Sequence, residues 1–127
     1  MLRIGNLSFG LRAVQAALSG YSDRPMRLVA RRHGGAELTM NEVVLDQIVL
    51  QKGKLRNEIL SLGVDDHPTG GQLMGSRPDQ FAAAANDLVE AGYDLIDINF
   101  GCPVKKVLGR CRGGYLLTEP PSALEIV

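Results

Sequence analysis

The feature that most constrains the fold of this chain is its regular alternation between strand-like and helix-like segments, which are separated by short turns. Parallel strands need crossover helices between them, so the alternation predicts an α/β fold with a parallel sheet and right-handed connections. The 127 residues accommodate about four βα units, whereas a complete (β/α)₈ barrel needs on the order of 250 residues. The chain is therefore predicted to be the N-terminal half of a TIM (β/α)₈ barrel. A small four-stranded doubly wound domain is the alternative that the periodicity leaves open.

The expected elements follow from apolar periodicity and from residues that start or stop helices. Asp23 and Pro25 predict the start of a helix that ends before Gly34. Ser76 and Asp79 stand at capping-box spacing ahead of a second helix with an apolar face. Strands are predicted at residues 11–18, 38–40, 69–74 and 94–98, and helices at 23–33, 43–62 (as two short pieces), 76–91 and from 119 onward.

A lone thiol lies on a tight turn directly after the fourth predicted strand. The segment reads Asp97-Ile98-Asn99-Phe100-Gly101-Cys102-Pro103-Val104-Lys105-Lys106, in which Gly101 and Pro103 end the strand. Proteins of the α/β class keep their chemistry at the carboxyl ends of parallel strands, so Cys102 is a candidate catalytic residue. The alternative is that Cys102 is merely a small apolar residue in a strand-to-helix turn.

Alternation along the fourth strand separates apolar from polar side chains. Ile96 and Ile98 share one face and are expected to pack between the strand and the helices, while Asp97 and Asn99 share the other face. Asp97 and Asn99 are therefore predicted to point toward the barrel axis near its upper rim, where a polar ligand would satisfy them. An Asx-type turn is the alternative role for Asn99.

A basic cluster follows the cysteine turn and consists of Lys105, Lys106, Arg110 and Arg112. The chain has 14 basic and 14 acidic residues, so its net charge gives no global support for nucleic-acid binding. A solvated loop explains such a cluster in most proteins. Beside a candidate catalytic thiol, however, the cluster favours contact with nucleic-acid phosphates.

Composition and spacing argue against several other classes of protein. No apolar run approaches the roughly 20 residues of a membrane span, and residues 1–6 lack the layout of a secretory signal, so a cytoplasmic protein is expected. Cys102 and Cys111 are the only two cysteines, and no histidine stands at ligand spacing. Neither a disulfide scaffold nor a metal site is therefore expected. His33 and His67 lie in polar loops and are expected to be solvated.

The segment from Asn99 to Lys106 resembles the signature Asn-x-Gly-Cys-Pro-x-Lys-Lys of the tRNA-dihydrouridine synthases, and the likeness extends over nearly the whole chain. Residues 16–27 resemble the family's first flavin-contacting segment, although Ala17 and Leu18 stand where the family usually has Pro-Met. Residues 71–76 (Gly-Gln-Leu-Met-Gly-Ser) resemble its Val-Gln-Leu-Phe-Gly-Ser segment. The resemblance implies an FMN-dependent barrel enzyme that reduces specific uridines in tRNA to 5,6-dihydrouridine, with NAD(P)H as electron donor.

The same resemblance implies roles for individual residues. Cys102 would donate a proton to C5 of the uracil, on the face opposite the one that receives a hydride at C6. Asn99 would contact the uracil, and tRNA phosphates would be bound by Lys105, Lys106, Arg110 and Arg112. A neutral amide can both donate to and accept from the pyrimidine edge of a flavin, and the implied flavin-binding residues are Ala17, Leu18, Ser19 and Gln72.

Other parts of the family's site are expected to lie outside residues 1–127. These parts are the second half of the barrel, with its flavin-phosphate loops, and the C-terminal helical domain that grips tRNA. The chain alone is therefore expected to be inactive, and the full-length enzyme is expected to be a monomer. Cys111 inherits no role, because the run from Gly109 to Gly114 departs from the family's Lys-Gly-Gly-Ala-Gly-Ser.

Two other functions stay open at this stage. A different flavin barrel, acting on a small molecule such as dihydroorotate or a dihydropyrimidine, would share the strand-end geometry. The two lysines after Cys102-Pro103 favour the tRNA enzyme over it. A non-catalytic remnant that binds RNA through the basic cluster is the other possibility.

Overall fold

The computed structural model describes residues 1–10 and 13–127, so Leu11 and Arg12, where the first predicted strand begins, lie outside the described residues. The strands are β1 Leu2–Ile4, β2 Leu7–Phe9, β3 Ala13–Gln15, β4 Ala36–Met40, β5 Val44–Leu45, β6 Thr69–Met74 and β7 Leu95–Ile98. The helices are α1 Arg24–His33, α2 Asp46–Leu50, α3 Lys54–Ile59, α4 Pro78–Glu90, α5 Lys105–Leu108 and α6 Pro120–Ile126, with a 3₁₀ helix at Gly113–Thr118.

Strands β3 to β7 form a five-stranded parallel sheet in which β4, β5 and β7 all pair with β6. β4 pairs with β3 and with the first residues of β6, and β5 then pairs with the last residues of β6, where Val44 lies opposite Leu73. β4 and β5 thus occupy the same place in the sheet. β7 pairs with β6 and places Asp97 opposite Gln72. The sheet therefore has four consecutive strand positions, as the predicted βα units require.

The two faces of this sheet have different partners. Ile96 and Ile98 pack against the main apolar core, to which α2 and α4 contribute, as the alternation along the strand predicts. Leu38 and Met40 lie on the opposite face and pack with Phe9 of β2. The described helices that pack on the sheet lie on one face, whereas a doubly wound fold carries helices on both. The structure is therefore consistent with the N-terminal part of a barrel wall.

An antiparallel hairpin precedes the sheet, and the sequence pattern did not predict it. β1 and β2 pair from Leu2 opposite Phe9 to Ile4 opposite Leu7. Gly5 sits in the connecting turn with a φ of 56°, a left-handed conformation that glycine adopts at little cost. Phe9 is only 3% exposed. The hairpin therefore covers part of the face that carries Leu38 and Met40, which is the inner face of the sheet.

The two long helices begin in different ways. α1 begins as predicted, because the Asp23 carboxylate accepts a hydrogen bond from the Met26 N–H at 3.0 Å. The capping box predicted for Ser76 and Asp79 is wrong. The N-cap of α4 is Arg77, which makes no side-chain cap, and Asp79 instead accepts from Arg77 Nη2 at 2.7 Å. The apolar face of α4 is nevertheless buried as predicted, through Phe81, Ala84 and Leu88.

Short elements differ from the predicted ones in two places. The stretch predicted as two helices begins with β5, which adds two residues to the sheet before α2 starts at Asp46. The glycine-rich stretch after the cysteine turn is not an open loop. It follows the single-turn helix α5 and leads directly into the 3₁₀ helix Gly113–Thr118.

A buried ion pair joins α1 to the turn before β6. Arg27 and Asp66 are both 0% exposed, and Arg27 Nε lies 3.2 and 3.1 Å from the two carboxylate oxygens. Arg27 Nη2 approaches the same carboxylate at 2.5 Å. The other donors of Arg27 reach oxygens of Ser22, Asn41 and Ser61. The guanidinium is thus fully partnered, which ties α1 to the end of β4 and to the segment after α3.

The free energy of unfolding is expected to depend on pH in the alkaline range because of Tyr93. Burial raises the pKa of Tyr93 from 10.0 to about 12, and its hydroxyl has no hydrogen-bond partner among the described residues. Between these values the unfolded chain loses the phenolic proton while the folded chain keeps it. The free energy of unfolding should therefore fall by about 2–3 kcal/mol as pH rises through this window. Urea denaturation of wild-type protein and Tyr93→Phe across the window measures this effect.

The phenyl ring introduced by Tyr93→Phe cannot ionise, so this variant should lack this part of the decline. It should also be at least as stable as wild type at neutral pH, because no hydrogen bond is lost. Parallel pH profiles for the two proteins would contradict the burial of the Tyr93 hydroxyl.

Candidate active site

The turn that carries Cys102 is held by the side chain of Asn99. The backbone N–H of Asn99 donates to Leu73 O at 2.8 Å and so extends the pairing of β7 with β6 by one step. Its Oδ1 then accepts from the N–H groups of Gly101 at 3.2 Å and Cys102 at 3.0 Å. The Asx-type turn considered for Asn99 is therefore present. It fixes the half-buried thiol of Cys102 at the carboxyl edge of the sheet.

A polar trio lies beside this turn and consists of Gln72, Asp97 and Asn99. Gln72 Nε2 donates to Asp97 Oδ2 at 2.6 Å, and Asn99 Nδ2 donates to Gln72 Oε1 at 2.9 Å. All three residues are partly buried. An amide offers two N–H groups and two lone pairs on its oxygen, so each amide keeps one free N–H group and Gln72 also keeps one lone pair on its oxygen, whereas both lone pairs of Asn99 Oδ1 are taken by Gly101 and Cys102. The trio can therefore orient a polar ring placed on the inner face while remaining hydrogen-bonded itself.

The inner face offers a shallow cavity beside the trio. It has a volume of about 280 Å³ and is lined mainly by small and apolar side chains, with Ala17, Gln72 and Asp97 among its residues. A concave apolar surface with a few convergent polar groups suits a flat heteroaromatic ring. The residues present therefore fit the ring of a flavin, with Gln72 at its polar edge.

The predicted flavin-binding residues do not all meet at this cavity. Ala17 and Gln72 line it together. Ser19 instead lines a second cavity of about 200 Å³, together with residues of the basic cluster. The side chain of Leu18 is 47% exposed, and its backbone carbonyl accepts from Tyr21 and Ser22 in the turn before α1.

Two glycines that the sequence left without a role pack against the cysteine turn. The N–H of Gly114 donates to Cys102 O at 3.0 Å. Gly113 has a φ of 57°, and a Cβ at this position would lie 2.9 Å from the Cβ of Cys102. Only a residue without a side chain allows this approach. The two consecutive glycines after the basic cluster were the sequence signal for this close packing.

The basic cluster divides into an exposed part and a buried part. Lys105, Lys106 and Arg110 are exposed. Arg112 is only 8% exposed, and its Nε has no hydrogen-bond partner among the described residues. Arg112 is therefore not part of the same open surface, because the chain turns inward at Gly113 to pack against Cys102.

A buried carboxyl group near Arg112 was not singled out by the sequence. Asp46 is 1% exposed and accepts from the Gln47 N–H at 2.7 Å. Burial raises the pKa of Asp46, while the Gln47 N–H and the positive charges of Arg112 and Arg77 oppose this rise. The only sequence signal for this buried carboxyl group was the position of Asp46 within a mainly apolar run.

Residues 1–10 and 13–127 contain no group of three or more His, Cys, Asp or Glu side chains that could hold a metal ion. Within the same residues, no helix is both long enough and apolar enough to cross a membrane. The carboxyl edge of the sheet carries the thiol of Cys102, the amides of Gln72 and Asn99, and the carboxylate of Asp97.

Comparison with known proteins gives the family. The profile of the dihydrouridine synthase family matches residues 14–127. The tRNA-dihydrouridine synthase B of Pseudomonas aeruginosa is 35% identical over 127 residues, which are 100% of this chain and 38% of that protein. A probable tRNA-dihydrouridine synthase of Rickettsia prowazekii is 33% identical over 128 residues, covering 99% of this chain and 38% of that protein. The chain thus spans well under half the length of these relatives, and over that length it belongs to the dihydrouridine synthase family.

Proposed function

We propose that this chain supplies the cysteine-bearing first half of a barrel enzyme that reduces specific uridines in tRNA to 5,6-dihydrouridine. The observation that carries the proposal is the Cys102 turn, which Asn99 holds beside the polar trio in a chain of this family. The relatives that match have the same reaction in their names. The expected setting is a soluble, cytoplasmic and monomeric full-length enzyme.

The inner-face cavity is the proposed place of FMN. Ala17 and Gln72 would hold the flavin ring, with Leu18 and Ser19 contributing from the segment before α1. When bound and reduced by NAD(P)H, FMN would supply a hydride to C6 of the uracil. Gln72 is oriented by Asp97 at 2.6 Å, so its amide presents a fixed edge to the ring.

Cys102 is the proposed proton donor. A free thiol is mostly protonated at neutral pH, so it can deliver a proton to C5 of the uracil without special activation. The Asx turn fixes the thiol in place, and the remaining amide capacity of Asn99 would contact the uracil. The target base must leave the tRNA stack to reach this edge of the sheet. The role of these residues is then mainly to position the base between flavin and thiol.

The proposal also concerns the rest of the protein. The chain covers about 38% of the matched relatives, and a barrel wall with four strand positions leaves β3 and β7 as sheet edges. We propose that a second half closes the barrel, anchors the flavin phosphate and carries the helical domain that grips tRNA. Residues 1–127 alone are accordingly expected to lack activity.

The direct test is nucleoside mass spectrometry. The purified full-length enzyme is incubated with an unmodified tRNA transcript, FMN and NADPH, and the nucleosides are analysed after digestion. Dihydrouridine, heavier than uridine by two hydrogens, is expected only when NADPH is present. Reduction of orotate or of a free pyrimidine without any change in tRNA would favour a small-molecule flavin enzyme. Binding of tRNA without bound flavin or turnover would favour the RNA-binding remnant.

The exposed basic residues should contribute to tRNA binding through phosphates. Replacing Lys105, Lys106 or Arg110 singly by glutamine should weaken tRNA binding at low salt. Each lost phosphate contact should lower the magnitude of the slope of log K against log salt by roughly 0.7 to 0.9. The measurement is a tRNA titration at several salt concentrations. Lys54→Gln is a suitable control, because Lys54 is an exposed lysine on α3 that pairs with Glu58.

Reduction of FMN by NADPH should be unaffected in all of these variants. Equal slopes for the Lys105, Lys106, Arg110 and Lys54 variants would show that the exposed cluster is only a solvated surface.

A further inference from the structure

One cavity is lined by Arg112, a charged side chain whose Nε has no hydrogen-bond partner among the described residues. Arg112 is 8% exposed and lines this cavity, yet its Nε finds no hydrogen-bond acceptor among the described residues. A buried polar group without a partner is unfavourable, and a buried charge more so. A ligand in the cavity that offers oxygen acceptors would pair with the side of Arg112 that lines it and would bring negative charge near the unpartnered Nε.

The polar side of the cavity favours an anion, while the rest of the lining is apolar and consists of Val43, Leu45, Met74 and Val107. Lys106 and Arg110 line it together with Arg112, and Ser19 adds a hydroxyl group. The nearby negative charges are those of Asp46, which acts on Arg112, and of Glu42, which accepts from the Gly20 N–H next to Ser19. Neither carboxylate lines the cavity, and the three cations that do line it favour a negatively charged ligand. A guanidinium with free donors is suited to a planar arrangement of oxygens, such as those of a phosphate.

The size and the position of the cavity limit which kind of phosphate could bind in it. The volume of about 200 Å³ is several times the roughly 30 Å³ that one water occupies in the liquid, so a partly hydrated phosphate fits. Arg112 directly precedes Gly113, which packs against Cys102. A base presented to the Cys102 thiol is only one sugar away from its own phosphate. The cavity therefore lies where the backbone of the substrate nucleotide would pass.

We propose that this cavity binds an RNA backbone phosphate beside the target uridine, with Arg112 as its principal donor. The proposal rests on the proposed function, because it takes RNA as the substrate. The cationic lining supports RNA over the flavin phosphate, since Lys106 and Arg110 continue from the cavity onto the exposed surface. Arg112 thereby differs from the exposed lysines: it holds one phosphate inside the site and sets the position of the base.

The test uses the full-length FMN-loaded enzyme and an unmodified tRNA transcript, and it measures binding without NADPH. Arg112→Met should weaken transcript binding about 10- to 100-fold at low salt, the usual range for a hydrogen-bonded charged contact. The magnitude of the salt slope should fall by roughly 0.7 to 0.9. FMN affinity should stay unchanged. Lys54→Met controls for the loss of one positive charge elsewhere and should bind the transcript like wild type.

The double variant Asp46→Asn/Arg112→Met separates phosphate binding from a structural role. If Arg112 only balances the buried charge of Asp46, then removing that charge should restore wild-type binding and overturn the proposal. Unrestored binding in a double variant with normal flavin content supports it. Loss of FMN affinity with transcript binding intact would overturn it in favour of the flavin phosphate. A wild-type enzyme that binds the transcript but forms no dihydrouridine after NADPH is added would refute the proposed function and leave the phosphate site standing.

Discussion

Cys102→Ala is expected to lower dihydrouridine formation by about two to four orders of magnitude, the usual range for loss of a general acid. The reason is that no second acid lies on the Cys102 turn, whose remaining hydrogen bonds run from backbone N–H groups to Asn99 and from Gly114 to Cys102 O. Flavin content and flavin reduction by NADPH should stay close to wild type. Single-turnover formation of dihydrouridine and the visible absorbance of the flavin measure the two steps separately.

Cys111→Ala is the matched control for this experiment. Cys111 is an exposed free cysteine with a φ of 55°. Alanine also carries a Cβ, so the substitution adds no backbone strain. The Cys111 variant should therefore turn over like wild type. Wild-type turnover in Cys102→Ala, or a large loss in Cys111→Ala, would mean that the proton comes from another group.

The parallel direction of the strands and the two faces of β7 were predictable because both depend on local pattern. Alternation along β7 correctly separated Ile96 and Ile98 from Asp97 and Asn99. Short connections between strand-like and helix-like runs correctly implied a parallel sheet. These features need no knowledge of distant contacts, since a residue's face is set by its position in its own strand.

The N-terminal hairpin was missed although it had a local signal. Gly5 and Asn6 separate two short apolar runs, and Gly-Asn is a turn type that favours hairpins. The strands have only three residues each, too few for alternation to stand out. The capping box at Ser76 had a local signal but did not form: Arg77 is the N-cap of α4, and Asp79 pairs with Arg77.

The structure brings Gln72, Asp97 and Asn99, which the sequence had singled out, into one hydrogen-bonded group, whereas the burial of Arg112 and of Asp46 was not foreseen. For Asn99, turn formation and a ligand role were treated as alternatives, but its oxygen and its nitrogen serve different partners. Arg112 was grouped with Lys105 and Lys106 because all three are basic and close in sequence. Its burial depends on the packing of Gly113 against Cys102, which is a tertiary contact. Asp46 comes near Arg112 only in the folded chain.

Asp66→Asn is expected to lower the free energy of unfolding by about 3–5 kcal/mol, the usual cost of removing one partner from a buried ion pair. Arg27 and Asp66 are 0% exposed, so asparagine would leave the Arg27 charge buried without a counter-ion. The loss of stability should extend beyond the turn that carries Asp66, because Arg27 also donates to Ser22, Asn41 and Ser61. Urea denaturation followed by circular dichroism measures this difference.

The neighbouring aspartate provides a control that differs mainly in burial. Asp65 pairs with Arg24 of the same helix at 2.9 Å, but the two side chains are 54% and 39% exposed. Hydrogen bonding to Arg24 lowers the pKa of Asp65, yet water screens such an exposed pair, so Asp65→Asn should leave stability almost unchanged. A midpoint for Asp66→Asn as close to wild type as that of Asp65→Asn would show that the Arg27 pair does not hold α1 to the sheet.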